Sequence, residues 1–480
     1  MLSSLASLLD SFRIPNRRRR GFSIFSRRRR RQTSSLRCQG IPGLSLQETL
    51  AHEPLEQRRL LAVDVSLAGS VLTVSFDDAS DDAVSVAITS EGYDSSGANV
   101  SSGTGTITQL VVQDSGTAQT SNFTLSEVGQ VLSGGLSIGP VITTTVITTD
   151  SVNTGGGDVL VESGELTLDA NIVSGEGSQT FLSAVVLASD VNLTTSTGVS
   201  GDLQVVFQGT VDSDDSATPR TLNVHSEAIF FYDDVGSKSP LNDFVGYTVN
   251  DAAERGQFYS SVTTDGLQSY KAGSSSGDIE FNGTYTAGGD IELLGEGTFG
   301  VVLSLAGDTN IDVGTGAFSV QKGSSNSYPG GNIVSQGKSE SYDLTITAGN
   351  ITVPAGIGVA SAGSSLSSPE LKDFTINGIG TVGLNTPEVI TTGDFTANPA
   401  IKIYQDTTLL SGVGEINLSS GVNNGSKSLT LGDSAQTGSI FVGGLQVRHL
   451  EVGNGAFDVT LDGAMPVSYT HLRAHETRIH

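Results

Sequence analysis

The 480-residue chain holds one cysteine, two methionines and no tryptophan. Cys38 is the lone thiol, which excludes an intrachain disulfide and leaves every later position without a thiolate metal ligand or thiol nucleophile. Leu36-Arg37 before it are not the small residues of a lipidation site, so Cys38 reads as incidental. Charge is sparse, at 16% of residues against 36% hydrophobic, a balance too apolar for a disordered acidic chain. No apolar run approaches the ~18–20 residues that cross a bilayer as a helix. The six histidines are scattered. His225 and His449 stand alone, without metal-ligand spacing or a nucleophile beside them. No glycine-rich loop leads into a helix carrying Lys-Ser/Thr, so a phosphate cradle is not expected.

What charge there is divides sharply. Residues 1–62 carry 13 Arg, no Lys and 4 acids, while residues 63–480 carry 12 basic and 47 acidic residues, a balance of −35. Such asymmetry implies two parts with two jobs. Nucleic-acid binding by the acidic body is not expected, because phosphates would be repelled. At more than 400 residues, the body exceeds the size at which single cores stop growing, so several domains or a repeat array are expected.

Within residues 1–62, the blocks Arg17–Arg20 and Arg27–Arg31 repel themselves and predict a disordered basic leader. A basic run serves nucleic-acid or nuclear targeting, or the cationic start of an export signal. A secretory signal would continue with ~7–15 apolar residues. The best candidate, Leu60-Leu61-Ala62-Val63, is far shorter, so an ordinary signal peptide is not supported.

Leu55-Glu56-Gln57-Arg58-Arg59-Leu60-Leu61 resembles the LEPR-x-LL motif found near the N-termini of very long planctomycete proteins, with Gln57 where that family carries Pro. The resemblance implies a sorting or export role for Leu55, Glu56, Arg58, Leu60 and Leu61, with the export machinery as the leader's partner. It also implies an exported body, placed at the cell surface or outside the cell.

From Val63 onward, short alternating stretches recur, among them Ser70–Phe76, Gly157–Val161, Glu165–Leu168, Tyr342–Thr347 and Gly414–Leu418. Each is bounded by Gly, Asn, Asp or Ser, the pattern of half-buried strands joined by tight turns. An all-β body is expected. The opening Gly-Asp-aliphatic returns at Gly157, Gly201, Gly277 and Gly289. The phrase Val-Gly-x-Gly-Ala-Phe-x-Val occurs at Val313–Val320 and Val452–Val459. A longer series, from Phe207 to Phe244, runs in the order of one from Leu418 to Leu450. Degenerate repeats of this kind suggest stacked coils whose aliphatic faces bury one another.

Val185–Asp215 in particular resembles the repeats of filamentous-haemagglutinin-like and autotransporter-like bacterial surface proteins. That resemblance, extending over residues 151–464, implies a right-handed parallel β-helix (β-solenoid). With ~20–29 residues per coil, about 11–15 coils would stack roughly 4.8 Å apart. Tandem β-sandwich domains are the alternative, although no period near 100 residues is present. The expected organisation is a leader at 1–62, an N-terminal β segment or cap at 63–150, solenoid repeats at 151–465 and a foreign tail at 466–480. Val467–Thr477 resembles a translated sequencing adapter, and the chain is therefore expected to be a fragment of a longer one.

Two acidic clusters offer hard oxygen ligands for calcium: Asp77, Asp78, Asp81 and Asp82, and Asp212, Asp214 and Asp215. Neither has the spacing of an EF-hand or a calcium-binding nonapeptide, so turn-forming carboxylates are the plainer reading. Polysaccharide lyases and hydrolases also use parallel β-helices, and paired carboxylates would be their signature. No catalytic residue is assigned and no cofactor is expected beyond the weak calcium case. The run Phe230-Phe231-Tyr232 reads as rung-filling core. The expected function is an exported adhesin-like or structural surface protein facing polysaccharide or other surface proteins. A β-helical polysaccharide-active enzyme is the alternative.

Overall fold

The computed structural model describes residues 63–76, 82–97, 102–114, 120–195, 203–248, 256–273, 278–295, 300–324, 331–336, 341–359, 370–380, 382–463 and 469–471. All lie in the unit Leu60–His480. Among the described residues there is no helix, and the chain is all-β. Each strand follows its own alternation. In Ile291–Gly295 the first, third and fifth residues are buried, as are Val84, Val86 and Ile88 in Asp82–Thr89. Period-two burial is what a pleated strand with one inner face requires.

From Gln109 onward, successive strands do not pair with each other; each pairs with a strand one coil away. Val159–Val161 lies between Gly135–Ile138 and Gln179–Phe181. Glu165–Leu168 lies between Thr144–Ile147 and Ala184–Leu187. Asn171–Gly175 lies between Ser151–Asn153 and Val191–Thr195. All these pairs are parallel. They define a first, second and third column of stacked strands, compatible with a β-solenoid. Where one long strand turns from one column into the next, the columns fuse. Asp278–Ala287 pairs with Gly256–Phe258 by its first half and with Val262–Thr264 by its second. Among the described residues the result is one sheet of 27 strands and others of 9 and 8. Sandwich sheets are antiparallel. Here antiparallel pairing among the described residues is confined to Val63–Ala68 with Val71–Phe76, and to Gly92–Ser96 with its two neighbours. Tandem sandwiches therefore do not account for the columns.

The segment up to residue 150 stacks directly on the repeats after it, since Gly135–Ile138 and Thr144–Ile147 each pair with a strand of the next coil. A strand at Tyr469–His471 also pairs in parallel, with Leu445–Val452. Coil length varies more widely than the sequence suggested. Asp158 meets Ser178 across 20 residues, whereas Asp308 meets Asp343 across 35. The surplus sits in corner loops, which tolerate insertion because the strands they join keep their register.

The repeated phrases do not mark equivalent places. Phe318, in the first Val-Gly-x-Gly-Ala-Phe-x-Val phrase, is buried in the third column, while Phe457 in the second is only partly buried. The long series is one column out of step. Ala228–Phe231 belongs to the first column, but its counterpart Ile440–Val442 belongs to the second. All three columns share one alternation and the same turn glycines, so a phrase can recur on any of them.

The core runs without interruption from Val63 to Val459. In the first column Phe181, Phe207, Phe231 and Phe258 stack face to face, with centroids 4.9, 4.7 and 5.5 Å apart. Tyr270 and Tyr285 are wholly buried beyond this stack, and each hydroxyl has a partner. Tyr270 Oη donates to Gln268 Oε1 at 2.9 Å, and Tyr285 Oη donates to the Phe258 carbonyl at 2.7 Å. Burial pushes both phenols well above their ordinary range.

Outside the core, polar side chains form rungs of their own. Asn192 Nδ2 donates to Asn171 Oδ1 at 2.9 Å, and Asn223 Nδ2 to Asn192 Oδ1 at 3.0 Å. Asn192→Ala removes both bonds at once. The expected loss is about 1 kcal/mol in urea unfolding, the net worth of ordinary hydrogen bonds at a wet surface. Asn192→Asp should lose a comparable amount, because a carboxylate cannot donate to Asn171.

Candidate functional site

Leu55, Glu56, Arg58, Leu60 and Leu61 lie outside the described residues, as do Asp77, Asp78 and Asp81. Asp82 opens the strand Asp82–Thr89, and its backbone N–H donates to the Thr120 carbonyl at 2.9 Å. The remaining calcium candidates are close in sequence but turn to different partners. Asp212 is 4% exposed, and its Oδ1 accepts from the backbone of Lys238 at 2.8 Å and Ser239 at 3.4 Å. Asp214 receives Arg220 through Nε at 2.7 Å and Nη2 at 3.2 Å. Asp215 closes its own turn, accepting from the Ala217 backbone and the Thr218 hydroxyl, each at 2.8 Å. Those two bonds, the backbone one foremost, hold the Asp215 carboxyl below the usual range. Among the described residues, no group of three or more His, Cys, Asp or Glu side chains is placed to hold a metal ion.

Several other corner carboxylates accept from the backbone of a neighbouring coil. Asp308 accepts from the backbone of Asp343, Asp343 from Asp373, Asp373 from Asp394, and Asp394 from Glu415. Each ties one coil to the next at 2.6–3.2 Å. Asp158 and Asp290, from the recurring Gly-Asp-aliphatic opening, do the same for Ser178 and Ala317. These acids are acceptors built into the stacking, and that is what the repeated phrase supplies at Gly157 and Gly289.

The outer face of the first column is different. Phe231 is fully buried, which by strand alternation turns Phe230 and Tyr232 outward, and Tyr232 is 50% exposed. The reading of this run as core therefore holds for Phe231 and is corrected for its neighbours. Phe258 is buried in register with Phe231, so Tyr259 emerges beside Tyr232 on the next coil. The Phe230 and Tyr232 rings stand 6.2 Å apart and nearly parallel, and Tyr232 and Tyr259 are 5.6 Å apart with planes at 26°.

Behind this ledge sits a carboxylate. Glu280 is 2% exposed; Gln257 Nε2 donates to its Oε2 at 2.8 Å and Gln336 Nε2 to its Oε1 at 2.5 Å. Tyr259 Oη reaches the same Oε2 at 3.4 Å. The network fixes the Tyr259 ring and the Gln257 amide before any ligand arrives, so little ordering is left for binding. No protein-family model, curated protein or solved structure matches the chain. The site must be read from its own geometry.

Two other outward tyrosines carry charged or imidazole side chains of the chain itself. His225 stacks on Tyr247 at 4.5 Å, and Lys271 Nζ lies 4.2 Å from the Tyr247 centroid. Lys402 covers Tyr404 at 5.1 Å. The Tyr232 ledge was within reach of the sequence. Three consecutive aromatic residues on a strand cannot all face inward, and the same rule places Tyr259 outside once Phe258 is inside. Glu280 had no such signal, because its partners lie 23 and 56 residues away.

Proposed function

We propose that the chain is an exported right-handed parallel β-helix that works as an adhesin-like or structural scaffold at the cell surface. The parallel register of three columns over hundreds of residues carries this reading. Such stacking repeats the same outward positions coil after coil, and repetition is what an extended contact surface needs. The leader's likeness to planctomycete sorting motifs supplies the route of export, through Leu55, Glu56, Arg58, Leu60 and Leu61. A binding scaffold accounts better than an enzyme for corner carboxylates that are spent on neighbouring backbone amides, because a general acid or base must be free to meet substrate. Among the described residues no helix is long and apolar enough to cross a membrane.

Treating intact source cells with protease tests the location. The protein should be degraded while a cytosolic marker stays whole. Survival of both, in cells whose known surface proteins are cleaved, would overturn the surface assignment.

A further inference from the structure

We infer that the ledge formed by Phe230, Tyr232 and Tyr259 binds a neutral polysaccharide, which lies along the stacking direction with its sugar rings against the tyrosine faces. The inference rests on the surface-scaffold reading for its biological setting, and gives that scaffold a ligand class.

Three observations carry it. Tyr232 is half exposed, and Tyr259 stands beside it on the next coil at 5.6 Å, so a linear polymer following the column meets two rings in succession. Aromatic faces attract the C–H-rich faces of sugar rings, as they attract other weakly positive groups. Hydrogen-bond acceptors flank the rings. Asp233 is exposed directly after Tyr232, and Glu280 beneath Tyr259 sets the outward Gln257 amide. Carboxylates and amides beside an aromatic face suit a ligand made of hydroxyl donors. The body's balance of −35 works against anionic polymers and leaves neutral ones. Cations are the competing ligand for a tyrosine face. At Tyr247 and Tyr404 this chain places its own lysine over the ring, and among the described residues no lysine covers Tyr232.

The full chain should be run through native gels containing one soluble polysaccharide each: hydroxyethyl cellulose, xyloglucan, galactomannan or dextran. Heparin and poly-lysine serve as anionic and cationic comparisons. At least one neutral polymer should retard the protein, and Tyr232→Ala should weaken that retardation about tenfold, a change expected for losing one stacking ring. Tyr232→Phe should keep most of the binding, since the ring rather than the hydroxyl makes the contact. Tyr404→Ala, which removes an equally exposed tyrosine elsewhere, should bind as the parent does. Asp233→Asn, an exposed change that leaves the core untouched, gives a second reading and should weaken binding without altering the melting curve. Retardation by poly-lysine alone, by no neutral polymer, or equally by Tyr232→Ala and the parent would overturn the inference. Those outcomes would not affect the location, which the protease experiment decides separately.

Discussion

Phe231→Ala is expected to destabilise the coils around it by about 3–5 kcal/mol, the range for removing a fully buried phenylalanine. The ring is 4.7 Å from Phe207 on one side and 5.5 Å from Phe258 on the other, and Phe244 meets it edge-on at 5.5 Å. In a globular core, neighbours relax partly into such a void. Here the coils are held apart by parallel backbone pairing at the fixed strand spacing of ~4.8 Å, so the column cannot close over the gap. The loss should also be local, because each coil touches only its neighbours. Hydrogen exchange should quicken in Gln204–Phe207, Ala228–Phe231 and Gly256–Phe258, while Ile416–Leu418 keeps its protection. A loss under about 1 kcal/mol, or exchange that quickens equally at both sites, would contradict the picture of a rigid, nearest-neighbour stack.

That stack was partly legible in the sequence. Alternation located Val71–Phe76, Glu165–Leu168, Leu344–Thr347 and Ile416–Leu418, because inward and outward positions are decided residue by residue within a strand. Parallel pairing was harder to see. It joins Val191 to Leu222 and Phe318 to Ile351, across corner loops of unequal length that carry no pattern. Phrase matching consequently found true strands but matched strands that belong to different columns. Beyond Phe231, the extent of the buried aromatic rungs was hidden for a related reason: at 6% of the chain, aromatic residues look scarce. Folding gathers Phe181, Phe207, Phe231, Phe258, Tyr270, Phe281 and Tyr285 into one continuous cluster. The acidic clusters show the reverse. Asp212, Asp214 and Asp215 are neighbours in sequence, and turn geometry sends their carboxylates to three separate partners.

Gly414→Ala is expected to cost about 3 kcal/mol, the upper part of the range for overpacking a rigid site. Two demands meet at this corner. The preceding turn runs from Ser411, whose carbonyl accepts the Gly414 backbone at 2.8 Å and whose hydroxyl donates to the Gly414 carbonyl at 2.7 Å; Gly412 within it has φ +55°. The same turn recurs at Ser174–Gly177, with Gly175 at φ +59°. Closing the turn this tightly brings Gly414 down on the coil below. A Cβ there would stand 2.1 Å from the Gly393 carbonyl carbon and 2.2 Å from its oxygen. Neither side can yield easily. Gly393 donates to the Lys372 carbonyl at 2.7 Å, and buried Gln436 ties Gly414 to Gly438 through Nε2 at 2.8 and 3.0 Å. Gly425→Ala is the matched comparison, because its Cβ would meet nothing within 4 Å. That change should stay within about 0.5 kcal/mol of the parent. Urea midpoints of the two variants separate the explanations. A large loss at Gly414 alone assigns the glycine to coil spacing, whereas equal losses would assign it to chain flexibility in general and refute the close approach as the cause.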